Sequence, residues 1–558
     1  MILMLKNINN LNNAVKDAFK EYGLDCDAMF LHSQYPELSD IQCNELLKNR
    51  GIDSLDLLIN LILRKLNDLE EVKKCVINND LFINVSITNE FLAKQLVDSS
   101  EWAKTFDDSL KNSSTKNILF DYGGPNIGKA LHVGHLRSLS IGRSLYRMNE
   151  LVGNSVTSDI HLGDWGMPVA YMIALIEKDE IILENMNYED IEKIYPEAVA
   201  FAEDNKTFYE VAKNIAFELN KGNQKYTDIW KNILSISTKY IRGTLTNLGH
   251  SFDEWKGESD ANKIIDPMIA KLLKQEKVIK NEGALVACID VNPPIIITKS
   301  DGSSLYITTD LATVIEREES KFDEVIYVVD NRQKKHFEQL FQCIEYFNLS
   351  KAEFKHVGFG TINGKDGKPL KTRDGGVYKL DDLYKDIEKE LISHGTPKDS
   401  MNTSVNNILT FSDLLTNRKT DYKFDIEKFT DTTGKTAIYI EYAYVRGSKV
   451  LKDAEEVNWN ENNETIKFKI TNPVERELVI EILKFKYYLD LSILNNEPHH
   501  IADYTYSLAK KLNAFYEDEK ILNLEYEKAT QKLFLLRYTL HVLSKGMYAL
   551  GMNPVEKL

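Results

Sequence analysis

Apolar positions along the chain follow two periods, and the chain divides where one gives way to the other. Over residues 55–66 leucines and isoleucines return at helical spacing, whereas Leu81-Phe82-Ile83-Asn84-Val85-Ser86-Ile87 is the short apolar run of a strand. The Ser-, Asn- and Lys-rich stretch 107–116 reads as a linker. At Asn117 the texture changes. Ile118-Leu119-Phe120-Asp121-Tyr122 is a buried-strand pattern closed by Gly123-Gly124-Pro125. Leu136, Leu139, Leu145, Met148 and Val152 then mark a helix ending at Gly153, and a second strand follows over 156–160. Strand, helix and strand in that order predict a βαβ unit and a parallel sheet. Its ligand site should lie at the carboxyl ends of the strands, in the loop between Asp121 and His135.

Residues 178–285 read as a mostly helical, charged insertion. Strand patterns return at Ile295-Ile296-Ile297-Thr298 and at Val325-Ile326-Tyr327-Val328-Val329. An amphipathic helix through Phe337, Leu340 and Phe341 follows the second, and both strands are expected to complete the same sheet. The C-terminal part is helical. One helix opens at Asn472-Pro473-Val474-Glu475 and buries Leu478, Ile482, Phe485 and Leu489. The last carries Leu533, Leu536, Leu540, Leu543, Met547 and Leu550 in steps of three and four, the seam of a helix bundle.

A length of 558 residues suggests roughly three to four domains. With 43% hydrophobic and 28% charged residues, disorder throughout the chain is excluded. The net charge of −16 gives no global attraction for nucleic acid, so such a partner must meet a local basic patch. Five scattered cysteines (Cys26, Cys43, Cys75, Cys288, Cys343) read as reduced thiols. The most apolar window, 55–63, is interrupted by Asp56 and Asn60, and no targeting segment is read at the N-terminus. A soluble cytoplasmic protein is expected.

Chemistry concentrates in Pro125-Asn126-Ile127-Gly128-Lys129-Ala130-Leu131-His132-Val133-Gly134-His135. Two histidines three apart, where a loop enters a helix, can face one point beyond the strand. The helix start offers free N–H groups to phosphate, Gly134 admits a flat base or a phosphate, and Lys129 adds a mobile cation. ATP is the partner this suits. A zinc site is disfavoured, since no cysteine or carboxylate stands at ligand spacing, and no resident metal is assigned. A second cluster, Gly364 to Gly376, brackets Lys365, Lys368, Lys371 and Arg373 with glycines, as a loop closing over an anionic leaving group would.

His132-Val133-Gly134-His135 resembles the "HIGH" signature of class I aminoacyl-tRNA synthetases, and Lys371-Thr372-Arg373 resembles a divergent "KMSKS" loop that lacks the second lysine. Pro125-Asn126, Lys129, His132 to Arg137, His161-Leu162-Gly163-Asp164-Trp165-Gly166, Gly257-Glu258-Ser259 and Tyr442-Ala443-Tyr444-Val445-Arg446 together resemble the arginyl-tRNA synthetases, in order over nearly the whole chain. Thr309 stands where an arginine is common before Asp310, and Glu441 where a glutamine is frequent.

The resemblance implies an α/β chain. A Rossmann-like catalytic domain over 109–436 holds the insertion, preceded by an α/β N-terminal domain (1–108) that contacts tRNA and followed by an all-α bundle (437–558) that reads the anticodon. It implies ATP-dependent activation of L-arginine and transfer to the 3′-terminal adenosine of tRNA(Arg), with Mg²⁺ on the triphosphate, by a monomer. Rival readings are another class I synthetase or nucleotidylyltransferase, and a catalytically silent tRNA-binding relative. Lys129, His132, His135, Lys371 and Arg373 would act in catalysis as cations or donors, with Gly134 admitting ATP. Asp121 and Asp310 would clasp the guanidinium with Tyr306, and Asn126 and Gln333 would hold the α-amino and carboxylate end. Tyr439, Tyr442 and Tyr444 would offer faces to splayed bases, with Arg446 on backbone phosphate.

Overall fold

β1 (Asn117–Tyr122) is buried from Ile118 to Tyr122, as its apolar run requires of a strand covered on both faces. α1 (Val133–Leu151) carries the chain back, and β2 (Ser155–Asp159) pairs parallel with β1, which forms the expected βαβ unit. The computed structural model describes residues 9–33, 38–96, 101–364, 367–368, 370, 378–456 and 468–558.

Four helices come next: α2 (Met167–Lys178), α3 (Tyr188–Asp204), α4 (Lys206–Asn220) and α5 (Gln224–Asn247). They gather Ile173, Ile191, Ile194, Ile215 and Ile233 into a core of their own. α6 (Glu258–Lys274) packs Ala261, Ile265 and Met268 into a second core, which holds Leu119 and Val325 of the parallel sheet. β3 (Val278–Asn281), β4 (Ala284–Ala287) and β5 (Ile296–Thr298) form a separate antiparallel sheet. Glu282 and Gly283, both at positive φ, turn its first hairpin. Here the expectation that 295–298 completes the parallel sheet is corrected. A three-residue strand pairs with the hairpin edge just upstream of it, the nearest backbone left open.

α7 (Tyr306–Arg317) leads to β6 (Glu324–Val328), buried at all five positions, and α8 (Lys334–Phe347) leads to β7 (Glu353–His356). The parallel sheet has the order β7-β6-β1-β2. β7 escapes the sequence pattern because Glu353-Phe354-Lys355-His356 is an edge strand with a single apolar residue. The register aligns Tyr327 with Asp121 and Asp121 with Asp159, so three polar groups stand abreast at the carboxyl ends of neighbouring strands. α9 (Leu380–Ser393) follows the basic loop. These elements belong to a compact unit of residues 112–431 and 550–552.

The other unit joins residues 1–111 to 432–549 and 553–558. Its sheet is antiparallel, in the order Leu31–His32, Ile41–Cys43, Ile83–Ile87, Val72–Ile77. The stretch read as a linker from Asp107 is helical as far as Leu110, in the helix Trp102–Leu110, because Phe106 and Leu110, four apart, are both buried. Trp102 stacks on Tyr538 at 4.8 Å, Asp107 lies 2.8 Å from both His541 Nε2 and Lys545 Nζ, and Arg476 donates to both oxygens of Asp40 at 3.1 and 2.8 Å. Segments at opposite ends of the sequence thus share one unit. The Asn472 side chain caps its helix by accepting from Glu475 N at 2.8 Å. That helix, Pro473–Leu483, breaks before Phe485–Asn495, yet Leu478, Ile482, Phe485 and Leu489 stay fully buried across the break.

Candidate active site

At the start of α1 the two histidines cap the helix for each other. His132, in extended backbone, is the N-cap, and its Nδ1 accepts from Gly134 N at 3.1 Å. His135 Nδ1 accepts in turn from His132 N at 3.0 Å, and the rings lie 4.0 Å apart. This is the reciprocal logic of a capping box, built from imidazoles. It fixes the tautomer, because a ring nitrogen that accepts a backbone N–H leaves the ring proton on Nε2. Burial pushes His135 down to about 3, with His132 adding to it, and burial and Lys129 lower His132. Expected as cations or donors, both rings are neutral donors near pH 7. Gly134 is exposed, and a Cβ there would lie 2.8 Å from the His132 ring, so a larger residue would push that ring out of its cap.

The loop before them is held from several sides. Ile127 N donates to Gly163 O at 3.1 Å and Gly163 N to Pro125 O at 3.0 Å. A Cβ on Gly163 would collide with Asn126 Oδ1 at 2.0 Å. Asn126 itself is exposed. Gly128, at φ 79°, donates to Ser237 Oγ at 3.2 Å, and Lys129 is exposed with its ammonium 4.5 Å over the Tyr195 ring. Lys371 and Arg373 lie outside the described residues, but both ends of their loop are anchored. Leu370 N donates to Ile362 O at 3.1 Å, and on the far side Val133 N donates to Tyr378 O and Leu380 N to Leu131 O, each at 3.0 Å. The downstream anchor is therefore the histidine segment itself.

Asp121 is buried and already holds a guanidinium. Arg317 Nη2 lies 2.5 Å from Asp121 Oδ2 and 2.6 Å from Asp159 Oδ2, and Arg317 Nη1 donates to the Tyr327 hydroxyl at 3.1 Å. The three groups abreast in the sheet are exactly those the last residue of α7 reaches. Burial raises the Asp121 carboxyl and Arg317 opposes this; Asp159, which burial alone would raise, is held at about 2 by His161 and Arg317. His161 Nδ1 stands 3.8 Å from Asp159. Asp121, Asp159 and His161 have ligand atoms close enough to share a metal ion, but the cation at the two carboxylates is Arg317.

Asp310, half-buried one turn into α7, lies 2.5 Å from His336 Nε2 at the start of α8. Tyr306, expected to share its pocket, is 72% exposed at the first position of α7, and Gln333 is exposed just before α8. Glu258 is the residue that assignment by motif missed. Asp164 accepts from Ser259 N at 2.9 Å and from Ser259 Oγ at 2.6 Å, which fixes the turn that carries Glu258. A Cβ on Gly257 would lie 2.6 Å from Asp164 Oδ1, so a larger residue would displace the carboxylate that holds Ser259. Burial pushes the Glu258 carboxyl up to about 7, with Asp164 and Asp310 pushing the same way against His161. The signal was present in Gly257-Glu258-Ser259, but nothing local says what the acid faces.

In the other unit, Tyr439, Tyr442, Tyr444 and Arg446 all lie on α10 (Ala437–Glu456). Tyr442 is 51% exposed, and the Arg446 guanidinium lies 5.5 Å from its ring and 4.5 Å from that of Tyr516. Tyr439 packs against Tyr506 at 5.2 Å, and Tyr444 is half-buried.

Residues 102–426 match the family of class I tRNA synthetase (R) catalytic domains, and residues 440–558 match the DALR anticodon binding domain. The arginine–tRNA ligase of Alkaliphilus oremlandii is 35% identical over 601 aligned positions that take in all of both chains. That of Francisella tularensis is 34% identical over 86% of each. Two solved arginyl-tRNA synthetases share the fold: that of Plasmodium falciparum at a TM-score of 0.80 and 23% identity over both whole chains, and that of Thermus thermophilus at 0.78 and 18% over 99% of this chain and 100% of its own.

Proposed function

The chain belongs to the class I arginyl-tRNA synthetases, and on that basis we propose how its residues carry the reaction of an arginine–tRNA ligase. The enzyme activates L-arginine with ATP and passes the arginyl group to tRNA. In the first step a carboxylate oxygen of arginine attacks the α-phosphorus and the bond to pyrophosphate breaks. In the second a ribose hydroxyl of the terminal adenosine attacks the arginyl carbonyl and AMP leaves. Neither step calls for a side-chain nucleophile. The protein positions reactants and stabilises developing charge.

His132 and His135 give Nε2–H bonds to the triphosphate at the helix start, Gly134 leaves room for the nucleotide, and Lys129, Lys371 and Arg373 supply positive charge to the departing pyrophosphate. Mg²⁺, when bound with ATP, would neutralise part of the triphosphate charge.

Asp310 and Glu258 take the guanidinium. Glu258 makes no ion pair among the described residues; only His161 opposes the repulsion it feels from Asp164 and Asp310, which a bound cation would relieve. Asp121 serves indirectly, since Arg317 occupies it. Tyr306 closes over the site, and Asn126 and Gln333 hold the α-amino and carboxylate groups. The Tyr442–Arg446–Tyr516 cluster and Tyr439 stack anticodon bases. The functional division is 1–108 for tRNA contact, 109–436 for catalysis and 437–558 for the anticodon. A monomer in the cytoplasm suits a chain that carries all these parts. All five cysteines are free, and no helix of the described residues is long and apolar enough to cross a membrane.

The observation that carries the assignment is the imidazole capping box, which turns two histidines into fixed neutral donors where the sheet opens. ATP–pyrophosphate exchange with each amino acid, with and without tRNA, tests it. Exchange should be specific to arginine, require tRNA, and drop at least roughly a hundredfold when His132 and His135 are both replaced by alanine. Unchanged exchange in that variant would refute the role of the pair.

A further inference from the structure

Away from the histidines, α3, α5 and α9 enclose a cleft of about 750 Å³, within the range that holds a small molecule. Its walls are unlike an ordinary gap between helices. Gly243 lies in the interior of α5 and lines the cleft, and a Cβ built there would meet no atom within 4 Å. Glycine inside a helix weakens it, and packing against the chain does not explain this one. Lys239 from α5 and Lys385 from α9 line the cleft, and neither has a carboxylate partner among the described residues. Tyr188 stacks on Tyr240 at 3.5 Å and 5°, and the buried Tyr188 hydroxyl has no hydrogen-bond partner among the described residues. Of the two acids at the rim, Asp381 accepts from the Tyr240 hydroxyl, which leaves Glu388.

We propose that this cleft is a second ligand site that takes a planar aromatic anion of nucleoside-monophosphate size. The two ammonium groups receive its phosphate, the edge of the Tyr188–Tyr240 stack lies against its ring, and Glu388 accepts from ring or exocyclic N–H groups. The open space above Gly243 admits the ring edge to the helix backbone. An occupant would bridge α5 to α9, whose first residue, Leu380, donates to Leu131 O in the histidine segment. The same chemistry is presented by a free nucleotide and by a nucleotide of bound tRNA.

The test is calorimetric titration of the full chain with AMP, GMP, CMP and UMP, with the active site filled by a non-hydrolysable arginyl-adenylate analogue. At least one nucleotide should bind saturably at one per chain. Gly243→Leu, which fills the cleft, and Lys385→Glu, an exposed change that keeps the fold, should each weaken that binding roughly tenfold or more while arginine-dependent exchange persists. Added tRNA that displaces the nucleotide identifies the tRNA as its source, and coexistence identifies a free nucleotide. No saturable binding by any of the four, or equal binding by the Lys385→Glu chain, overturns the proposal.

Discussion

Arg317 on α7 reaches Asp121 on β1 with its Nη2 2.5 Å from the carboxylate, and by the same nitrogen spans to Asp159 on β2. Side-chain exposures of 7%, 11% and 0% make this a buried triad in which each charge depends on the others. Removing one partner from such a group strands the rest, which costs about 3–5 kcal/mol. Arg317→Met should therefore destabilise by about that much and raise the KM for arginine through displacement of β1 and α7, whereas Arg317→Lys should recover part of the stability. Chemical denaturation checks it; a wild-type midpoint in Arg317→Met would mean the triad is not charged.

Acid should loosen the histidine cap. His135 titrates near 3 in the fold against an ordinary value of 6.5, so its neutral form is favoured on folding. The corresponding stability is fully present above pH 6.5 and is lost as pH falls toward 3, at up to about 1.4 kcal/mol per pH unit. His32, half-buried and held near 3 by desolvation, adds a loss in the same window. Denaturation midpoints between pH 7.5 and 5 should fall, and His135→Asn should flatten the slope by one proton. A slope unchanged by that substitution argues against a neutral His135.

Arginine should bind better as pH rises through 7. Glu258, held near 7, is largely protonated at pH 6, and a guanidinium favours its carboxylate. The KM for arginine should fall toward tenfold per pH unit below 7 and level off above it, with the KM for ATP unaffected. In the unliganded chain the sign is opposite: a raised carboxyl contributes stability below its unfolded value of 4.5, lost as pH rises through 7. Glu258→Gln should abolish the dependence of the KM, and a persisting dependence would move it to another group.

Asp310→Ala should raise the KM for arginine by roughly a hundredfold and that for ATP by a few-fold at most. Equal effects on both substrates would show that Asp310 acts on the fold through His336 and not on the amino acid.

Gly243→Ala should stabilise the chain by about 0.5–1 kcal/mol, since a methyl there meets no atom and α5 gains a better helix former. Destabilisation, read as a lowered melting temperature, would reveal a backbone constraint that the open space above Gly243 does not disclose.

Sequence by itself determined the local parts: the βαβ unit from Ile118 to Asp159, the histidines at a helix start, the Asn472 cap and the buried stripe through Leu489. Each follows from periodicity or from a cap within a few residues, and a broken helix at Lys484 left that stripe intact. Only the tertiary structure decided what depends on register and on approach between distant segments. It sent 296–298 to an antiparallel hairpin, gave Asp121 to Arg317, 196 residues away, and set Glu258 where it feels Asp310. It also joined residues 1–111 to the C-terminal helices. Charge states belong with this second group, because burial keeps the histidines neutral, and burial is not written in the residue type.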